Sequence, residues 1–419
     1  TGAAPSAGYR EIGHLVDLEL LLTDGFLLLA SHLDSGHLDP ASLHPDWVAR
    51  PRGTDPAAIL GAALASDAPG AVGDALDGLR PPLPGYRRLR ETLAGHRAVA
   101  ATGGWSVVPE GGTLRPGDDG ERIPALRSRL AASGDLASPG PAAAADSLLF
   151  DEALADAVRT FQARHGLEPD AVVGPATLDA LNVPASRRAD QIAVNLERWR
   201  WLPRDLGERH VLVNAASYEL ELVEGEDTVL TTRAVVGRPY RRTPAFSDRI
   251  TYLVFSPYWH VPHNLAVQDQ LPLQRQDPGY FDRVGMRVIR GWGADAREIP
   301  TSDVDWSEVG ADTFPYRLRQ DPGPHNALGG VKFMFPNPFS VYLHDTPSRE
   351  LFARRTRTFS SGCIRVERAR ELAVELLRGA DGWGPERVRA AMGRGEEETV
   401  PLPEPVPVDT MVALLQGPP

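Results

Sequence analysis

Cysteine is almost missing from this chain: one residue in 419, at Cys363. No disulfide can form within it, and a lone thiol reads first as a small buried hydrophobe unless its setting says otherwise. No stretch approaches the roughly 18 consecutive apolar residues of a membrane-spanning helix. No secretory leader is visible either. The chain opens at Thr1-Gly2-Ala3, which reads as trimmed, so an export signal is expected to have been removed. Basic excess is lacking too. Net charge is −12, with acidic residues spread along the chain rather than run together, which excludes a nucleic-acid groove and reads as solubility.

What is present is enough for several cores. A hydrophobic fraction of 42% over 419 residues predicts two or three folded units. Residues 9–100 read as helical, through the Leu15–Leu22 run and an Ala-rich stretch at 57–66, with no catalytic spacing. They look like a packing scaffold, set at 1–146. Gly/Pro/Asp-rich residues 110–120 and the run ASPGPAAAAD at 137–146 read as loops or linker. Phe150, Leu154, Val158 and Phe161 then fall on one helical face, and Gly174-Pro175 opens a second short helix. A compact module is placed at 147–186 and a linker helix at 187–207.

From 208 the period becomes two. His210–Asn214, Tyr218–Val223, Thr228–Val236, Ile250–Ser256, Val331–Phe335 and Phe339–His344 are expected strands, with residues 224–227 as a hairpin turn. An insertion at 262–330, rich in aromatics and proline, is expected to be a folded lid, because a structureless loop of that length is improbable. The fold class is multidomain α+β. It comprises a helical scaffold, a small three-helix module, and a β-rich domain over 208–380 with a mixed, sandwich-like sheet. A Glu/Pro-rich tail over 381–419 is expected to pack on the scaffold.

Chemistry concentrates at 335–373. His344 ends a strand, and Cys363 follows 19 residues later, directly after Ser360-Ser361-Gly362. A helix is expected from Val366, which would put the thiol just ahead of a helix N-terminus. Both that dipole and a nearby imidazole favour thiolate. Gly362 permits close backbone approach, and N–H groups around Gly362 and Cys363 suit a tetrahedral oxyanion. Arg365 suits a carboxylate. Each has a duller reading: His344 as structural, Ser360 and Ser361 as turn formers, Arg365 as a surface ion-pair partner, Tyr342 as core packing.

Taken together these residues resemble the YkuD-type catalytic domain of L,D-transpeptidases. The signature is a His, a spacer, then Ser/Thr-His-Gly-Cys, an apolar residue, and Arg or Asn. His344, Ser360, Gly362, Cys363, Ile364 and Arg365 fill it. Ser361 departs, standing where many members carry a second His, and is similar to the large multidomain periplasmic subclass. Residues 235–244, 256–281 and 331–347 resemble the same subclass, and 158–183 resemble a three-helix peptidoglycan-binding module.

The resemblance implies a cell-wall acyltransferase needing no cofactor or metal. Cys363 would be the nucleophile and His344 the base, with Gly362 and Ser361 at the oxyanion turn. Arg365, Tyr342 and Ser360 would contact substrate. It implies tetrapeptide stems as donor and acceptor, 3–3 cross-links, carbapenem-type β-lactams as inhibitors, wall synthases as partners and a periplasmic location. Lipoprotein attachment, D-amino-acid exchange and stem hydrolysis use the same site and stay open. Two further readings are a zinc peptidase drawing on His260, His263, His210, His325 and His344, and a non-catalytic wall-binding protein. The first is weakened because Pro262 breaks the His260–His263 spacing as a helical pair.

Overall fold

The computed structural model describes residues 7–43, 47, 53–137, 148–310 and 313–411. The described residues divide into two compact units, one up to residue 205 and the other over 206–411.

The first unit is helical. Helices α1 (Ala7–Ser35), α2 (Pro56–Leu64), α3 (Ala71–Gly78) and α4 (Pro84–Ala101) cover the predicted scaffold. Pro at the first turn of α2 and α4 marks their starts, and Asp55 caps α2 by accepting from the Ala57 and Ala58 amides. A second core then gathers α5 (Ile123–Ala132), α6 (Glu152–Arg164) and α7 (Pro175–Leu181). Phe150, Leu154, Val158 and Phe161 are all buried in it, as their spacing predicts.

The same core includes Val108, Leu114, Ile123, Leu126 and Leu130. The module therefore begins some forty residues before the predicted 147. The low-complexity run separates two parts of one core rather than two domains; its residues 138–146 lie outside the described residues. Helix α8 (Ala185–Arg200) was expected to be a linker. It buries Ile192, Leu196 and Trp199, and Arg200 donates to the Tyr86 hydroxyl of α4, so it is part of the helical unit.

The second unit carries β1 (Arg209–Asn214), β2 (Glu219–Glu224), β3 (Asp227–Gly237) and β4 (Ser247–Phe255). After these come β5 (Trp259–His260), β6 (Met286–Arg290), β7 (Arg297–Ile299) and β8 (Tyr316–Gln320). The last five are β9 (Val331–Met334), β10 (Leu343–His344), β11 (Thr358–Ser360), β12 (Ile364–Val366) and β13 (Glu398–Met411). Helices α9 (Ala369–Leu376) and α10 (Pro385–Met392) pack on the main sheet.

The main sheet runs β11-β3-β12-β10-β9-β4-β13-β1-β2, and β2 also pairs with β3, so the order returns on itself. Three pairs are parallel: β1–β13, β10–β12 and β11–β3. Alternation makes the core: Leu220 and Leu222 of β2 face inward between exposed or half-buried glutamates. The predicted hairpin turn is present, with Gly225 at φ 59°.

Three expectations change. The strand predicted over Phe339–His344 is reduced to Leu343–His344. Asn337 holds the preceding residues as a loop, accepting from the Phe339 and Val341 amides and donating to the Phe335 and Val341 carbonyls. The helix expected at Val366 begins at Ala369, because Ile364–Val366 pair with β10 and β3. The tail does not pack on the scaffold over its described part: β13 inserts between β4 and β1. Its prolines at 401, 403 and 405 face outward while Leu402, Val406 and Val408 are buried, and a register shift between Pro401 and Val406 absorbs the missing N–H groups.

The insertion is folded, as expected. Strands β5, β8, β6 and β7 form a separate four-stranded sheet over a core of Phe281, Trp306, Phe314, Tyr316 and Leu318.

Candidate active site

Strands β10 and β12 lie side by side and parallel, with Leu343 level with Ile364 and His344 level with Arg365. Ile364 N–H donates to the Tyr342 carbonyl at 3.1 Å. Side chains two apart along a strand share a face, so Cys363 and Arg365 point the same way, as do Tyr342 and His344. The thiol therefore stands level with Tyr342, and the imidazole one step further along. Two residues 19 apart in sequence become neighbours across a single strand pair.

The turn carrying the thiol is tied down at several points. Gly362 has φ 120°, a conformation that favours glycine. Its N–H donates to Ser360 Oγ at 3.1 Å, and Ser360 Oγ donates in turn to the Cys363 carbonyl at 2.5 Å. Ser360 is buried and acts as the turn former. The Gly362 carbonyl accepts from Thr243 Oγ1 at 2.8 Å, and that hydroxyl accepts from Gly237 N–H at 2.9 Å. Gly237 admits no side chain: a Cβ there would meet the Arg241 carbonyl at 2.2 Å. Thr243 and Gly237 belong to the 235–244 stretch flagged from sequence, and this bridge is their role.

Ser361 Oγ is held by Arg241 Nη1 at 3.1 Å. The same guanidinium pairs with Asp269 and donates to Gln268 at 2.6 Å, so the folded insertion reaches the site through Arg241. Gly362 N–H, expected to face an oxyanion, is spent within the turn, whereas Cys363 N–H is not. That N–H bonds to nothing among the described residues.

His344 is buried, and its Nδ1 lies 2.5 Å from the Asp345 carbonyl. Nδ1 is therefore the protonated nitrogen, leaving Nε2 as the acceptor. Asp345 is fixed by Gly330 N–H at 2.9 Å and by Arg349 at 3.0 Å. This orienting group was beyond sequence reasoning, since every residue has a carbonyl. Burial, then the charge of Arg365, lowers the His344 pKa to about 3.

Cys363 is half-buried and its pKa is raised, chiefly by burial. Hydrogen bonds from Tyr342 and the charges of Arg365 and Lys332 act against that rise without cancelling it. This corrects the expectation of a ready thiolate: the helix whose dipole was to support the anion starts six residues on, and the resting pair is neutral thiol and neutral imidazole. The thiol also lies 3.9 Å from the Ser340 carbonyl.

Tyr342 packs against the core, sets its ring edge-on to His344 at 5.7 Å, and has the thiol as its electrostatic neighbour. Burial and the thiol beside it raise its pKa. Arg365 is partly buried, with its Nε among the buried atoms lacking a bond, and desolvation lowers its pKa. Lys332 of β9, level with His344 on the other side, went unnoticed in the sequence. Of the histidines weighed as metal ligands, His260 sits in β5 and His263 at the start of a separate helical run. Among the described residues no three His, Cys, Asp or Glu side chains gather at one point, and no helix is long and apolar enough to cross a membrane.

Residues 208–389 match the family described as "L,D-transpeptidase catalytic domain", 5–93 match "Scaffold domain", and 119–181 match "Putative peptidoglycan binding domain". A Haemophilus influenzae protein named "Putative L,D-transpeptidase" is 34% identical over 229 residues, which is 54% of this chain and 45% of that one. The chain thus spans less than half the length of that relative. Among solved structures, an L,D-transpeptidase from Stackebrandtia nassauensis is 14% identical, covering 73% of this chain and 96% of its own at TM-score 0.26. L,D-transpeptidase 3 from Mycobacterium tuberculosis, in complex with a faropenem-derived adduct, is 14% identical over 49% of this chain and 60% of its own, at TM-score 0.22. Whole-chain superposition on both is poor.

Proposed function

We propose that this chain, whose residues 208–389 match an L,D-transpeptidase catalytic domain, cross-links peptidoglycan stems through a Cys363 thioester. The supporting observation is the placement of the half-buried thiol beside Tyr342 and one step from an imidazole whose Nε2 is free to accept a proton.

In the proposed reaction, Nε2 of His344 takes the thiol proton as sulfur attacks the carbonyl between the third stem residue, a diamino acid, and terminal D-alanine. The two charges form together, since burial opposes either alone. Cys363 N–H receives the developing oxyanion, with Tyr342 hydroxyl beside it. The C–N bond breaks, His344 returns its proton to the departing D-alanine amine, and a thioester remains. The side-chain amine of a second stem then attacks. His344 accepts the amine proton, the C–S bond breaks, the new amide is the 3–3 link, and sulfur regains a proton. Arg365 is assigned to a stem carboxylate; an unpaired guanidinium is suited to one. The module at 119–181 would hold glycan strands, and a periplasmic location is part of the proposal.

The test is incubation with purified tetrapeptide-stem muropeptides and mass analysis of products. Cross-linked dimers that vanish in Cys363→Ala support the reading. Tripeptide monomers alone indicate hydrolysis, exchanged stems indicate D-amino-acid exchange, and no change overturns it.

A further inference from the structure

The chain contains 44 basic residues, and Lys332 is the only lysine among them; every other is arginine. That one lysine lies in the active site. On β9 it is level with His344 of β10, which is level with Arg365 of β12, so three basic side chains stand in a row on one face of three adjacent strands. Neighbouring strands are about 4.8 Å apart, so Lys332 and Arg365 flank the imidazole at roughly equal spacing. The Lys332 ammonium lies 5.7 Å from the centre of the Tyr342 ring, and Tyr342 stands level with Cys363 across the β10–β12 pair.

Lys332 makes no ion pair among the described residues. The carboxylate whose field reaches it, Glu397, instead accepts a hydrogen bond from Tyr258 N–H at 2.8 Å. A partly buried cation without a partner is costly, and such costs persist where function uses them. An ammonium is a compact charge with three donors and fits beside an aromatic ring.

We propose that Lys332 is the charge-setting residue of this site: its ammonium, seated against Tyr342, stabilises the Cys363 thiolate as it forms. The residue acts on sulfur through space and through Tyr342, not as a proton acceptor. The other charged or titratable groups facing the thiol and the amine are His344, Arg365, His260 from the insertion, the Arg241–Asp269 pair and Glu397. Arg365 is the one other unpaired cation of the row, and Lys332 and Arg365 are the two cations that lower the thiol's pKa. Desolvation lowers the pKa of Lys332 itself, so the stabilisation fades as alkaline pH removes its charge.

The inference concerns the same site as the proposed transpeptidation, but its test needs no stem peptide. The rate of Cys363 alkylation by iodoacetamide, followed by intact mass across pH 6–10, reports thiolate directly. Lys332→Met should move the midpoint up by about one unit and slow alkylation at pH 8 about tenfold. Lys332→Arg, which restores charge, should recover most of the rate. Because Lys332 is the only lysine in this sequence, acetylation followed by hydroxylamine, which frees acetylated thiol and phenol but not amine, leaves Lys332 and the terminal amine modified, and it should slow alkylation as Lys332→Met does without any question of refolding. Unchanged alkylation in Lys332→Met and in the acetylated protein overturns the proposal. Equal loss in Lys332→Met and Lys332→Arg does so as well, since shape and not charge would then matter. Normal charge dependence with no muropeptide product would leave this inference standing and overturn the transpeptidase reading alone.

Discussion

The Thr243 side chain and the Gly362 carbonyl meet across 119 residues, joined by a 2.8 Å hydrogen bond, while the same hydroxyl accepts from Gly237. One buried oxygen thus ties the loop after β3 to the turn that presents the thiol. Thr243→Val keeps the shape and removes both bonds, at a cost of about 1–3 kcal/mol. The expected result is a lower urea midpoint and slower Cys363 acylation, with Thr243→Ser close to normal. A valine variant with normal stability and acylation would show that the turn holds itself.

His344 is expected to be the proton acceptor in both half-reactions. His344→Gln fills most of the same buried volume but cannot take the proton. Turnover of muropeptides should fall at least about a hundredfold, with the far-ultraviolet circular dichroism unchanged. Rates near wild type would remove His344 from the base role.

A strained β-lactam carbonyl presents sulfur with the same electrophile as the donor stem. A carbapenem should therefore add its mass once to the wild-type chain and not at all to Cys363→Ser. The adduct is read by intact-mass spectrometry, and an adduct in Cys363→Ser would place the reactive group elsewhere.

Acid sensitivity has a definite sign. The folded pKa of His344, about 3, lies below the ordinary imidazole value near 6.5, so between those values the unfolded chain binds more protons. Its contribution is present above pH 6.5 and is lost as pH falls toward 3. His165, which caps the C-terminus of α6 and is lowered by burial to about 4, acts the same way in the helical unit. The urea midpoint should drop between pH 7 and 4.5, and the drop in the catalytic unit should shrink in His344→Gln.

Asp409 of β13 runs the other way. Burial raises its pKa to about 6, against a partner bond from Ser247 that lowers it. A raised carboxyl stabilises the fold while protonated and loses that contribution as pH rises through 6. Asp409→Asn keeps a partner for Ser247 and should raise stability at pH 8 by about 1–3 kcal/mol. No gain at pH 8 would mean the carboxylate is better solvated than its burial indicates.

The site was legible where residue type and interval carry the chemistry. A strand-end His, a Gly before the lone Cys and an Arg after it are visible in any linear reading, and the β10–β12 pair explains the 19-residue interval. The electrostatics were not legible, because whether Cys363 precedes a helix or a strand depends on pairing with β10. Nor was the Asp345 carbonyl, which has no residue signature. The buried face of α6 followed from periodicity, and the folded insertion from its length and its aromatic and proline content. The small helical module was misplaced because a low-complexity run interrupts one core, and β13 was misread because proline in every second place looks like a tail. Only the buried residues between those prolines reveal a strand.

That strand sets the order in which the catalytic unit can be assembled. Val211 of β1 pairs with Val408 of β13, 197 positions downstream, while β1 and β2 pair locally. During synthesis the hairpin partners are available at once, yet β1 and β4 must keep a shared gap open until almost the whole unit has been made. A product interrupted before residue 398 would carry the complete Cys363–His344 pair and still expose two unpaired strand edges. Such a fragment is expected to aggregate rather than act, so the ring of strands works as a completeness check on the reactive thiol.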